Sequence, residues 1–209
     1  EVTTTDVANI GSGDDDLENT GTFALILVTA VAQTDVGKKR KNNEDSYLAL
    51  NDEAVFLVAD GMGGKSGGAL AAEQVIRTAK HLFDDFYPGG DVQQLLENIV
   101  QEAHTVIQLT AVSSEKEPHS TFVALVITPQ KEAIWAHAGD SRLYRFSGPN
   151  FAEKTRDHSY VERLVDEGKI RPEEAKHHRL SNILTNVLGS ASTAPYITTG
   201  RYQNLAAGD

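Results

Sequence analysis

The chain has 209 residues, 40% hydrophobic and 23% charged, with 19 basic against 30 acidic side chains and a formal net charge of −11. That length supports one sizeable core or at most two small ones, and the composition is that of a globular protein. The acidic balance excludes a general nucleic-acid binder, whose footprint is basic, and the absence of cysteine excludes disulfides, thiolate metal sites and a cysteine nucleophile.

Residues 1–22 carry Glu1, Asp6, Asp14, Asp15, Asp16 and Glu18 with no Lys or Arg, and read as an acidic flexible tail ahead of a domain spanning 23–209. Phe23–Gln33 reads as a buried strand. It is far short of the roughly 20 apolar residues a membrane helix needs, and the acidic residues before it are the reverse of a signal peptide. No membrane insertion is expected, and a chain without cysteine suits the cytoplasm. Ser46–Leu50 and Ala54–Ala59, joined by Asn51-Asp52-Glu53, read as a hairpin. Two amphipathic helices follow: Ala72, Val75, Ile76, Ala79, Leu82, Phe83 and Phe86 repeat at helical spacing, then Val92, Leu95, Leu96, Ile99, Ala103, Val106 and Ile107. A second strand group covers Thr121–Thr128, Glu132–Ala138, Arg142–Phe146 and Phe151–Lys154, with turns short enough to require antiparallel neighbours. Helical pieces at Ser159–Glu167 and Pro172–His177 precede a last strand at Tyr196–Tyr202. The order predicts an α+β fold with two packed antiparallel sheets and helices outside.

The chemistry concentrates at Asp60-Gly61-Met62-Gly63-Gly64-Lys65-Ser66-Gly67-Gly68, between a strand and a helix. Glycines there let the backbone approach a ligand closely. One reading is a phosphate loop, since Ala59 through Ser66 fits a relaxed G-x-x-x-x-G-K-[ST]. Against it, Asp60 would put a negative charge into an N–H cradle, and the flanking elements read as hairpins rather than strand-helix-strand units. The other reading is a metal-binding carboxylate. It draws on Arg40, four and five residues before Glu44 and Asp45, and on Asp140 in Gly139-Asp140-Ser141. Hard oxygen ligands without cysteine suit Mg²⁺ or Mn²⁺. Each cluster alone could equally be a solvated turn; their joint occurrence favours a site.

With these stretches in this order, the chain resembles the metal-dependent Ser/Thr protein phosphatases (the PPM or type-2C family) in their bacterial form. The resemblance covers Thr34–Asp45, Ala59–Gly68, Trp135–Tyr144, Thr155–Ser159 and Leu164–Gly189. It implies a four-layer α-β-β-α sandwich. It also implies hydrolysis of phosphoserine and phosphothreonine in proteins phosphorylated by a Ser/Thr kinase, by a monomeric enzyme. Asp60 would bridge two Mn²⁺ or Mg²⁺ ions with the Gly61 carbonyl completing one shell, and Asp140 would serve a third, looser ion. Arg40 would hold the substrate phosphate, and Glu44 and Asp45 would fix waters around the metals. Residues Asp157–Asn182 would form a flap beside the site, with His158 in it and Asn182 as a polar contact.

Several residues depart from the family pattern. Met62 stands where some members place a histidine thought to act as general acid, so no acid is assigned. His119 takes a place where glycine is more usual. His158, His177 and His178 read as solvated or hydrogen-bonded side chains in preference to metal ligands, and Trp135 as an inward packing residue. A Ser-Asp-Gly and a later Asp-Asn that supply further metal carboxylates in the family do not occur, so residues 1–209 alone are expected to fold poorly and lack activity. A catalytically deficient phosphatase-like binding domain is the first alternative, and a P-loop-like nucleotide binder dependent on Lys65 the second.

Overall fold

The computed structural model describes residues 4–10, 26–63, 67–87, 89–111 and 117–209. Two strands, β1 (Thr4–Ile10) and β2 (Ile26–Ala32), pair antiparallel. Residues 11–22 of the expected tail, and Gly64, Lys65 and Ser66 of the glycine-rich stretch, lie outside the described residues. Then come β3 (Asp45–Leu50), β4 (Val55–Met62), helix α1 (Gly67–Asp84) and helix α2 (Val92–Ala111). Strands β5 (His119–Ser120), β6 (Phe122–Ile127), β7 (Ala133–Ala138), β8 (Tyr144–Ser147) and β9 (Asn150–Lys154) follow. Helices α3 (Tyr160–Asp166) and α4 (Pro172–Ala175) lead to β10 (Thr198–Tyr202).

The central sheet has the order β10-β7-β6-β4-β3, with β5 added to the end of β4. Every pairing among the described strands is antiparallel. The expected β3–β4 hairpin is present, closed by the turn at 51–54. A phosphate loop belongs to parallel strand-helix-strand units, and none occurs among the described residues.

The strand period of two sorts β4 into faces. Val55, Leu57 and Ala59 are buried, while Val58 and Asp60 are open. The buried set joins Ala124, Val126, Ile134, Ala136 and Ala138 beneath the two amphipathic helices. Those helices contribute Ala71, Ala72, Val75 and Ala79 from α1, and Leu95, Leu96, Ile99, Val100, Ala103 and Ile107 from α2. Small residues on α1 let it lie close to the sheet, and larger ones on α2 fill the outer part of the core. Each fully buried Leu or Ile here stabilises the fold by about 1.5–3 kcal/mol. On the opposite face, β2 and β8 cover part of the sheet across a cavity of ≈ 700 Å³ lined by Val28, Leu125, Leu143 and Phe146. The fold is therefore α+β, with antiparallel sheets and helices outside. Trp135 is half-buried on the face of β7 opposite the helix-covered core, its ring tilted against His137 and Tyr202.

Candidate active site

The hairpin register places Asp45 directly opposite Asp60 at the open end of β3 and β4. Two carboxylates this close disfavour a second negative charge. The Asp60 carboxyl is pushed up to about 6, by loss of hydration first, then by repulsion from Asp45 and Asp140, against a downward pull from Arg40. Asp60 keeps an exposed surface, so solvent screens part of each contribution. Arg40 Nη1 donates to Glu44 Oε2 at 2.9 Å and leaves most of its guanidinium in solvent, free to meet an anion.

Backbone packing makes the corner tight. The Gly61 N–H donates to the Glu44 carbonyl at 3.0 Å. A Cβ on Gly61 would lie 1.9 Å from the Gly68 carbonyl oxygen, so the start of α1 can reach the strand only past glycine. Glu44 Oε1 is buried in this cradle without a hydrogen-bond partner among the described residues. A buried carboxylate oxygen needs a cation or a donor.

A second set of residues closes the corner from β6 and β7. The Asp60 N–H donates to Thr121 Oγ1 at 2.9 Å, and the Thr121 N–H returns a bond to the Asp60 carbonyl at 2.9 Å. Thr121 Oγ1 also meets Ser141 Oγ at 2.6 Å. Gly139 has φ +107°, and a Cβ there would sit 2.7 Å from the Thr121 methyl. Thr121, buried completely, thus ties the Asp60 strand end to the Gly139-Asp140-Ser141 turn. Sequence reasoning missed it. A threonine between Ser120 and Phe122 gives no sign of its partners, which are distant in the chain. The Asp140 carboxyl is raised by burial first and then by Asp157, although Arg142 holds Asp157 in a two-pronged ion pair with both bonds at 2.6 Å.

His158 lies at the buried root of the segment expected to be a flap. Its N–H donates to the Gly139 carbonyl at 2.9 Å, and its Nδ1 accepts from the Gly139 N–H at 3.2 Å and from Asn186 Nδ2 at 2.7 Å. With two donors facing Nδ1, the proton is assigned to Nε2, 2.9 Å from Thr198 Oγ1. Burial first, then the stacked His137 ring at 4.3 Å, pushes the His158 imidazole down to about 4. Bonds from the Thr185 N–H to the His158 carbonyl and from the Tyr160 N–H to the Ile183 carbonyl close the segment at its base. Asn182 is exposed, and no contact of the described residues joins it to Asp60. His119 pairs with Met62 across β4 and β5, next to the corner.

Oxygen donors from Asp60, Asp140 and the Gly61 carbonyl, with the partnerless Glu44 oxygen behind them, fit a hard divalent cation. Among the described residues, no three acid or imidazole side chains converge as a ready-made metal cage.

Comparison with known proteins agrees with this chemistry. The sequence pattern of the family described as protein phosphatase 2C matches residues 34–183. The Ser/Thr protein phosphatase PstP of Mycobacterium tuberculosis is 34% identical over 178 residues, 83% of this chain and 33% of PstP. Protein phosphatase PhpP of Streptococcus pneumoniae is 32% identical over 162 residues, 75% of this chain and 65% of PhpP. The chain therefore spans about a third of the first relative and just under two thirds of the second. The crystal structure of the PstP catalytic domain with two manganese ions superposes with a TM-score of 0.68 at 31% identity, covering 82% of this chain and 71% of that one. The phosphatase Stp1 of Staphylococcus aureus gives 0.73 at 27% identity, covering 82% and 69%.

Proposed function

Because this chain belongs to the protein phosphatase 2C family, we propose that the protein carrying it hydrolyses phosphoserine and phosphothreonine in proteins with the help of Mn²⁺ or Mg²⁺. The observation that supports this most directly is Asp60 placed opposite Asp45 and near enough to Asp140 to feel the charge of both, beside the exposed guanidinium of Arg40. Asp60, the Gly61 carbonyl and Asp140 would hold the ions, which supply a water activated for attack at neutral pH. Arg40 would orient the phosphate and offset its charge, a role that matters because unaided phosphate monoester hydrolysis is among the slowest reactions known. Glu44 and Asp45 would hold water and fix the orientation of the ligands. The segment from Asp157 to Asn182 would border the substrate as a flap, with His158 as its anchor and Asn182 at its exposed part.

The domain is taken as 23–209 behind an acidic tail, acting as a monomer in the cytoplasm on substrates of a Ser/Thr kinase. No described helix is long and apolar enough to cross a membrane. The test is hydrolysis of p-nitrophenyl phosphate and of a phosphothreonine peptide by the protein carrying this chain. Activity is expected with Mn²⁺ and lost with EDTA or in Asp60→Asn; turnover indifferent to both would sink the assignment. That no three metal-binding side chains converge among the described residues favours a second reading, a domain that binds phosphoproteins without hydrolysing them. That reading predicts phosphopeptide binding with no Mn²⁺-dependent turnover.

A further inference from the structure

The proposed reaction makes one demand that none of these residues meets. A seryl or threonyl oxygen leaves phosphorus as a strongly basic alkoxide unless it gains a proton, and imidazole is the side chain suited to give one near neutral pH. The chain has seven histidines. His104, His137 and His158 are buried and lowered from their ordinary value, first by loss of hydration. His81 ends α1, several turns from the glycines that touch the corner. His177 and His178 follow α4, on a segment tied to the corner at its roots and not at its tip.

His119 is differently placed. Strand β5 pairs with the end of β4 so that His119 lies directly opposite Met62 and Ser120 opposite Gly61. Residues opposite one another in an antiparallel pair project to the same face, and Met62 shares its face with Asp60, two positions back. The His119 ring therefore stands on the Asp60 face of the sheet, one cross-strand step away. Its side chain is 26% exposed, sheltered yet reachable. Nε2 lies 3.8 Å from the exposed carboxylate of Glu117, while Nδ1 is buried without a partner among the described residues.

We propose that His119 is the proton donor to the leaving group, an inference that rests on the phosphatase reading above. As the water oxygen forms its bond to phosphorus, the bond from phosphorus to the seryl or threonyl oxygen breaks. That oxygen takes the proton from His119 Nε2 and departs as the alcohol. The proton released by the attacking water returns, through solvent, to the neutral imidazole, leaving inorganic phosphate. Glu117 is a positioning residue whose carboxylate faces the Nε2 side of the ring.

Leaving-group dependence tests this. In His119→Gln, kcat toward a phosphothreonine peptide is expected to fall about 100-fold, the usual scale for loss of a general acid. Toward p-nitrophenyl phosphate, whose phenolate leaves without protonation, it falls less than about 3-fold. The alkaline limb of the peptide pH profile disappears with it. Equal losses on the two substrates, or no loss on the peptide, would overturn the proposal. If the unaltered protein hydrolyses neither substrate, it is the phosphatase reading that fails. The position of His119 is then judged by imidazole NMR with Mg²⁺ and inorganic phosphate as probe. His119 ring signals are expected to move while those of His81 stay; an unmoved His119 overturns the assignment independently of turnover.

Discussion

Thr121 joins the two halves of the corner through a single hydroxyl. That oxygen receives the Asp60 N–H and meets Ser141 Oγ, so removing it leaves a backbone donor and a second hydroxyl without their partner. Thr121→Val keeps the volume and β-branching and is expected to cost about 1–3 kcal/mol, the penalty for orphaned polar groups in a buried place. Thr121→Ser retains the oxygen and should recover most of that loss. Urea unfolding of the two variants measures the difference, and Mn²⁺ titration by calorimetry should show weaker binding for valine than for serine. Equal stability of the two would detach the hydroxyl from the corner. Gly61 makes a harsher demand. With the Gly68 carbonyl 1.9 Å from the place of a Cβ, Gly61→Ala must push the start of α1 off the strand. The collision is with backbone, so no rotamer relieves it. Loss of soluble folded protein, or a large drop in thermal midpoint, is expected in a melting experiment.

At the scale of elements, the segment between α3 and β10 is held by side chains that read as unremarkable in the sequence. Asn186 donates through Nδ2 to His158 and to the Tyr196 carbonyl, and accepts the Tyr196 N–H at Oδ1. Asn186→Ala removes all of these at once and should cost about 3 kcal/mol at roughly 1 kcal/mol per bond. The loss should be local. Hydrogen exchange is expected to quicken at Thr185 and Tyr196 while amides in α1 and α2 keep their protection. The contrast shows what the chain made legible. Helices α1 and α2 follow from spacing alone, because a buried stripe must recur every 3.6 residues. Arg40, Asp60 and Asp140 could be picked out because charged side chains at glycine-rich strand ends are uncommon. Pairing was another matter. Two residues of β5 carry no period, so neither the extension of β4 to Met62 nor the meeting of Met62 with His119 could be read locally. The β1 residues alternate too weakly among acidic neighbours to suggest a strand. His158 looked solvated or hydrogen-bonded, and the burial that decides between these comes from Gly139, Asn186 and Thr198, all far along the chain.

Over the whole molecule, buried imidazoles and crowded carboxylates give stability opposite dependences on pH. His158 is held near 4 in the folded chain and has an ordinary value of 6.5 when unfolded. Above 6.5 both states are neutral and the group is indifferent. As pH falls from 6.5 towards 4 the unfolded chain binds the proton first, so stability declines, by an amount on the order of 3 kcal/mol for the full displacement. His137 and His104, also lowered by burial, push the same way. Asp60 runs in reverse. Raised from 3.8 to about 6, it takes a proton in the folded chain before the unfolded one, so its charge weakens the fold as pH rises through that window. Asp140 is raised as well and adds to this in direction. Both carboxylates are open to solvent, which screens their repulsion, whereas His158 is enclosed. The histidines should win, and metal-free protein should be less stable at pH 4.5 than at pH 7. Asp60→Asn separates the two effects. In the absence of metal the variant should be more stable than the parent at pH 7. That advantage should shrink as pH falls through 6 and vanish below 3.8, where the parent carboxyl is protonated in both states. Urea midpoints across pH 4 to 7 check this. A variant less stable than its parent at pH 7 without metal would mean that Asp60 is already neutralised by Arg40, and that the corner has no standing demand for a cation.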